Sequence, residues 1–323
     1  MGVEVLTSWS DVEAVVSGHA ELFPRSALRY SQIPYYQAIA RVDGVNRSFL
    51  VVENGKPQAL AISISTTDSF TFFDTPSLIE FSYSNHDSGS RAIVTRAIAK
   101  HISTSNRADG ESHKFSLLPF GSPVDALVRK LLELGAIHSV RYEASVDLRQ
   151  DRESLWKSIR SGHKQSITKG RQAFGEVEMH FGAVPESVFS SFQALHLAVS
   201  GRVTRHADSW EQMKVALEAG HASLATVRLQ GEMVGATFCW VSAGMFSYGT
   251  GAYRRDLFTI APISHLPLFT SIEFAKERNR QLFVLGDGFV PIGTQKEQNI
   301  ASFKRGFTKQ IDLVHVFEIP SAE

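Results

Sequence analysis

At 323 residues, 43% of them hydrophobic and 20% charged, the chain carries enough apolar material for a large buried core and is expected to fold as two domains; a disordered chain is excluded. Its 33 Lys and Arg balance 33 Asp and Glu, so the formal net charge is zero. No global basic field favours nonspecific nucleic-acid binding, and any polyanion contact has to be local.

In chain order, residues 9–17 predict a helix, followed by a loop that holds Pro24, Tyr30, Tyr35 and Tyr36. The runs 48–53 and 56–64 meet across Asn54-Gly55, the strongest hairpin signal in the chain. Residues 70–73 and 78–83 read as strand pieces. Residues 90–102 carry Ile93, Ala97 and Ile98 at helical spacing, with Ser90 placed to cap the helix. A short strand at 115–118, a helix at 123–134 stopped by Gly135 and an alternating strand at 139–148 complete the first half.

The second half opens with a helical stretch at 154–174, ended by Gly175, and continues with a strand at 177–181 and helices at 185–200 and 209–219. Strands at 224–229 and 233–241 turn at Gln230-Gly231, and a Gly- and Tyr-rich strand follows at 245–253. The single cysteine, Cys239, lies between Phe238 and Trp240; it can form neither an intrachain disulfide nor a cysteine cluster for zinc and reads as a small core residue. A helix at 262–278, a strand at 282–285, a short helix at 301–307 and a strand at 311–319 end the order. No apolar run approaches the roughly 20 residues that span a bilayer. Residues 1–5 lack the basic and apolar regions of a signal peptide, and Leu6 stands where myristoylation wants Ser or Thr; a cytoplasmic location is expected.

Each half thus has the order of a hairpin, a strand, a helix, a strand, a helix and a strand, although no repeat is visible residue by residue. This predicts an α/β (α+β) protein of two duplicated modules, 1–150 and 151–323, the second including the basic linking helix 154–174. The order resembles the acyl-CoA N-acyltransferase (GNAT) fold in tandem form. The nearest resemblance is to the Fem-type peptidoglycan-bridge aminoacyltransferases and related acetyltransferase-like proteins of polysaccharide clusters. It is carried by Leu155-Trp156-Lys157-Ser158-Ile159 with residues 164–171, by Phe246-Ser247-Tyr248-Gly249-Thr250-Gly251-Ala252, by Leu285-Gly286-Asp287-Gly288 and by Phe303-Lys304-Arg305-Gly306-Phe307. It spans about residues 145–317, and the first half only by element order. It implies two modules, each a mixed, mainly antiparallel sheet flanked by helices, with no metal required.

The resemblance also implies transfer of an acyl or aminoacyl group from acyl-CoA or aminoacyl-tRNA to an amine, through a tetrahedral oxyanion that needs preorganised donors. Lys304 matches the family's Phe-Lys position and would place a cation on that oxygen; its plain alternative is a solvated lysine. Tyr248 matches a Tyr lining the acceptor site, against an outer-face aromatic. Asp287, between two glycines at a strand end, is the candidate to take or orient the amine proton, although Asp-Gly is also a common turn pair. Beyond the helix 185–200, Arg202 and Arg205 cluster with His196 and His206, where they could hold an acceptor's phosphate or carboxylate or simply form a surface loop. Arg305 reads as structural or phosphate-facing. Lys164 and Lys169 stand out on the basic helix, which is either a phosphate-binding face or a solvated one.

Two departures bear on the donor. The segment 254–262, Arg-Arg-Asp-Leu-Phe-Thr-Ile-Ala-Pro, has no glycine where a CoA pyrophosphate loop would have several. The first half offers only His86-Asp87-Ser88-Gly89-Ser90-Arg91 at the matching place. The coiled-coil arm of some tRNA-dependent Fem enzymes is also missing, so tRNA as a partner rests on the basic helix alone. The expected acceptor is a small molecule, nucleotide-linked or a cell-envelope precursor, and the alternative is a noncatalytic binding module of an envelope or polysaccharide assembly system. The twelve histidines show no metal-ligand spacing, and there is no Gly-x-Ser-x-Gly elbow.

Overall fold

In the computed structural model, which describes residues 2–66, 69–82, 88–105, 112–117 and 125–320, both predicted hairpins close as their turn residues require. Asn54 and Gly55 take φ of 50° and 73°, and Gln230 and Gly231 take 52° and 84°. Two successive left-handed residues match the twist of the flanking strands, so Glu53 faces Lys56 and Leu229 faces Glu232.

The chain forms two units, Met1–Arg141 with Leu313–Glu323, and Tyr142–Asp312. The first unit contains β1 (Val3–Leu6), α1 (Trp9–Gly18), α2 (Pro24–Ala40), β2 (Val45–Asn46), β3 (Phe49–Glu53), β4 (Lys56–Ile62), β5 (Ile64–Ser65), β6 (Thr71–Phe72), β7 (Thr75–Phe81), α3 (Ser88–Thr104), β8 (His113–Leu117) and α4 (Asp125–Glu133). It also holds the start of β9 (Ile137–Asp147) and most of β15 (Gln310–Ile319). The division therefore passes through these two strands rather than after residue 150. The unit's sheet runs β1-β3-β4-β7-β8-β15, antiparallel except for the β7–β8 pair, and β2, β5 and β6 attach beside β7. Side-chain alternation divides β3 and β4 between two cores. Phe49, Val51, Ala59 and Ala61 pack with α3 and α4 residues such as Ile98 and Leu131, whereas Leu50, Leu60 and Ile62 pack with Val12, Val16 and Ala27 of α1 and α2.

The second unit contains α5 (Arg152–Ser158), α6 (Ser161–Phe174), β10 (Glu178–His180), α7 (Glu186–Ser200), α8 (Ala207–Glu218), β11 (Ala222–Leu229), β12 (Glu232–Val241), β13 (Met245–Tyr253), a 3₁₀ turn (Arg255–Thr259), α9 (His265–Glu277), β14 (Leu282–Phe289) and α10 (Gln295–Arg305). Its sheet runs β9-β14-β13-β12-β11-β10, and only β13 and β14 are parallel. Ile167, Leu266, Phe269, Ile272 and Phe307, from α6, α9 and the segment after α10, form one core with Cys239, Phe246 and Phe283. On the other face Phe192 of α7 stacks on Phe238, whose edge meets Trp240. Cys239 is fully buried, and burial pushes its thiol up to about 12. Among the described residues, no helix is long and apolar enough to cross a membrane, and no group of three or more side chains is placed to hold a metal ion.

The structure corrects several sequence-based boundaries. The aromatic loop after Pro24 is the helix α2, which includes Pro34 and is fixed at its start: Pro24 stands in the first turn, and the buried carboxylate of Glu80 accepts from the Arg25 and Ser26 N–H groups at 3.2 and 2.7 Å. The expected helix 154–174 is two helices. Ile159 is extended (φ −72°, ψ 136°) and buried, and the Arg160 N–H bonds the Gly306 carbonyl at 2.8 Å, a long-range pairing that local helical spacing does not reveal. Ser90 lies inside α3 rather than capping it, while His86, Asp87 and Pro123 are outside the described residues. The helix α10 starts earlier than expected, at a capping box in which Thr294 and Glu297 each bond the other's backbone. Replacing Glu80 with Ala would leave N–H groups of the α2 start without an acceptor, and urea denaturation is expected to show a loss of about 1–3 kcal/mol with an unchanged m-value.

Candidate functional site

The parallel pairing of β13 with β14 is confined to Met245 with Leu282, Phe246 with Phe283 and Ser247 with Val284. Beyond these pairs β13 continues to Tyr253 and β14 to Phe289 without bonding each other. The strands therefore diverge, and their facing edges keep backbone donors and acceptors that pair with no strand. At the start of the divergence Gly286 adopts φ +88°, and the register of β14 against β9 shifts there.

A bulge decides which side chains face this opening. Across β12 and β13, Phe238 pairs with Thr250 but Cys239 pairs with Tyr248, so Gly249 is an extra residue. Simple alternation would put Tyr248 on the face of Thr250 and Ala252. The bulge puts it instead beside Gly251 and Tyr253, on the face of Thr237 and Cys239. Gly251 has no side chain for a geometric reason, because a Cβ there would collide with the Tyr253 hydroxyl. That hydroxyl lies 2.7 Å from Thr237 Oγ1. Burial raises the Tyr248 phenol to about 12 and holds Tyr253 well above its ordinary value, so both are protonated at neutral pH.

Lys304, next to last in α10, comes to the same place. Its Nζ lies 5.9 Å from the Tyr248 ring centroid, and a Cβ at Gly286 would stand 2.9 Å from it. The preceding residue is anchored: the buried His163 of α6 donates from Nε2 to the Phe303 carbonyl at 2.9 Å. The His163 ring occupies the space that any side chain at residue 306 would need. His265, the first residue of α9, meets His163 edge-on with centroids 4.4 Å apart and also contacts Phe303 and Phe307. Burial, with His163 second, pushes His265 down to about 4, and burial also lowers His163. Two neutral imidazoles thus hold the segment that bears the ammonium.

Lys304, Tyr248 and Gly286 are therefore brought together, and the remaining predicted residues spread out. Asp287 is exposed within β14, paired in register with Glu143, and is not on a loop as expected, because the strand runs on through the Gly286 irregularity to Phe289. The Arg305 guanidinium stacks on Phe289 at 5.4 Å. Lys164 lies 5.9 Å from the Trp156 ring, and Lys169 is exposed on α6. Arg202 and Arg205 line a separate cavity of about 470 Å³ bounded by α7, the 201–206 loop and the start of α8. There Arg205 donates to His196 Nε2 at 2.7 Å and stacks on Trp210 at 5.4 Å, and burial followed by the Arg205 charge pushes His196 down to about 4. In the glycine-free segment before α9, Arg254 makes a two-pronged pair with Asp256 and reaches Glu232 at 3.0 Å.

Sequence reasoning did not single out His265, Tyr253, Thr237 or Trp210. Nothing local distinguishes them; only the bulge and the helix crossings bring them to these positions. The histidines carry a pH signature. A base whose folded pKa is depressed binds its proton more readily in the unfolded chain, so it costs stability as pH falls from about 6.5 towards about 4. Thermal unfolding should show Tm dropping across that window, and His265→Phe should reduce the drop.

No family model matches the chain, and no curated protein matches it. Solved structures do. One described as FemX superposes with a TM-score of 0.66 at 14% identity, covering 99% of this chain and 97% of that one. A conserved protein of unknown function from Bacteroides thetaiotaomicron gives 0.55 at 10% identity over 98% and 99%. L-PGS from Bacillus licheniformis gives 0.52 at 12% identity over 88% and 90%. At these identities the likeness establishes fold alone. The chain has the fold of the structure described as FemX, built of two α/β units.

Proposed function

We propose that the protein is an N-acyltransferase that moves an acyl or aminoacyl group from a thioester or ester donor to an amine of a small acceptor. The observation that carries this reading is the Lys304 ammonium held against Gly286 and Tyr248 where β13 and β14 diverge. In such a transfer the amine nitrogen bonds to the carbonyl carbon, and the carbonyl electron pair moves to oxygen. Its return breaks the carbon–sulfur or carbon–oxygen bond; the amine gives up one proton and the leaving group takes one. A partly buried cation stabilises the transient oxyanion better than one in bulk water. Lys304 takes that role, Tyr248 lines the reacting groups, and Asp287 orients or deprotonates the amine. Arg202 and Arg205 hold a phosphate or carboxylate of the acceptor in their cavity, which suits a nucleotide-linked or cell-envelope precursor of polysaccharide or peptidoglycan type in the cytoplasm. Lys164 and Lys169, with Arg305 in support, meet phosphates of acyl-CoA or aminoacyl-tRNA.

A second reading, a noncatalytic binding module, draws on the glycine-free segment before α9, where Arg254 is already engaged by Asp256 and Glu232. Thermal-shift measurements separate the two. Acetyl-CoA, CoA or charged tRNA at a hundredfold excess over Kd would stabilise a true acceptor of that donor by about 2.7 kcal/mol. With the donor so identified, Lys304→Ala is expected to cut turnover by about 10²-fold or more while leaving Tm unchanged, and undiminished turnover rejects the oxyanion role. Arg205→Ala is expected to act mainly on KM for the acceptor.

A further inference from the structure

We propose that a cavity of about 190 Å³ between α5, α6 and α9 binds a small aromatic monocarboxylate, with Trp156 and Phe269 against its ring and Lys276, Arg152 and Arg171 around its carboxylate. Its lining residues are separate from those of the Arg205 cavity, and binding there needs no acyl transfer.

Helical spacing builds the walls. Arg152, Leu155 and Trp156 lie at i, i+3 and i+4 of α5, and Phe269, Glu273 and Lys276 at i, i+4 and i+7 of α9, so each trio shares one helix face. Arg171 joins them from α6. Packed helices rarely leave voids larger than a water molecule, and this one has room for about six. The Trp156 and Phe269 rings meet edge to face at 61°, with centroids 5.3 Å apart. An apolar cavity of about 150 Å³ is enough for benzene, so the space suits one six-membered ring bearing a carboxylate. That third ring completes an aromatic corner at the usual spacing of about 4.5–7 Å.

The charges select the sign and size of the ligand. Arg171 donates to Glu273 at 3.0 Å and Arg152 to Glu277 at 2.7 Å, pairs that offset both guanidinium charges while each uses one recorded N–H of the five available. Lys276 instead donates to the Leu148 and Gln150 carbonyls at 2.9 and 2.5 Å, uncharged partners that fix its ammonium without cancelling it. The carboxylate that feels this ammonium, Asp147, is held in two bonds by Arg149. One positive charge is thus left over in the wall, and Glu273 stands against a second negative one, a balance that favours a monoanion over a phosphate dianion. Burial outweighs the pull of Arg171 and Arg152 and holds the Glu273 carboxyl above its usual range, which marks the cavity as poorly hydrated.

Indole signals test the site directly. The full chain is labelled with ¹⁵N in its four tryptophan side chains and titrated with sodium benzoate at pH 7, with Trp156→Phe for assignment. The Trp156 signal is expected to shift and saturate with a Kd of about 1 mM or tighter, while Trp9 and Trp240 stay in place. Benzamide, which keeps the ring without the charge, and acetate, which keeps the charge without the ring, should each bind at least about tenfold more weakly. Lys276→Met should weaken benzoate about tenfold. Because that change also removes the bonds to the Leu148 and Gln150 carbonyls, Arg152→Gln at an exposed position gives a second measurement and should weaken benzoate about threefold. Absence of a saturating Trp156 shift, equal binding of benzamide, or a benzoate affinity unchanged in both variants would overturn the proposal. So would a saturating shift of Trp210 in place of Trp156, which would move the anion to the Arg205 cavity.

Discussion

Strand β14 stops bonding to β13 after three residue pairs, and the rest of the second unit is arranged around that stop. A parallel pair normally continues until one strand ends, since each unmade ladder bond leaves backbone groups to be satisfied elsewhere. Here β14 keeps its antiparallel partner β9 on the other edge, with the register shifting at Gly286, while the bulge at Gly249 bends β13. The two strands turn away from one another and leave polar backbone edges facing an opening. The core beneath, with Phe246, Phe283, Phe269 and Ile272 packed between sheet and helices, holds the strands together where they do pair.

Around this opening the packing selects which groups carry charge. Burial keeps His163, His265, Tyr248 and Tyr253 in their neutral forms, so they contribute fixed dipoles and shape rather than mobile protons. The Lys304 ammonium is set on their edge by an α10 backbone that His163 grips through the Phe303 carbonyl. Small residues are part of the same design. Gly251, Gly286 and Gly306 stand where a tyrosine hydroxyl, an ammonium and an imidazole come within contact of the backbone, and any larger residue would displace the group it serves.

Much of the fold was legible because its signals are local. Asn54-Gly55 and Gln230-Gly231 specify their turns through two successive positive φ angles, and Gly175 ends its helix with a positive φ of 76°. What escaped was decided at long range. The helix α2 reads as an aromatic loop until Glu80, far along the chain, satisfies its first N–H groups. Ile159 reads as helical until Gly306 claims the Arg160 N–H and the core claims the isoleucine. The capping box at Thr294 and Glu297 was a local signal, and it marks an earlier start for α10 than the apolar pattern alone suggests.

The sequence by itself determined the duplicated α/β order, the hairpins, the placement of Lys304 on the last helix and the absence of a glycine loop before α9, because each depends on residues close together in the chain. Tertiary structure alone decided which residues meet Lys304. Tyr248 sits with Tyr253 and Thr237 only because one extra residue reverses the alternation of β13, and Asp287 stays in a strand only because β9 pairs with it. The physical reason is that side-chain facing in a sheet has a period of two, so a single bulge inverts every assignment beyond it, and its position is set by the neighbouring strand rather than by the strand's own sequence.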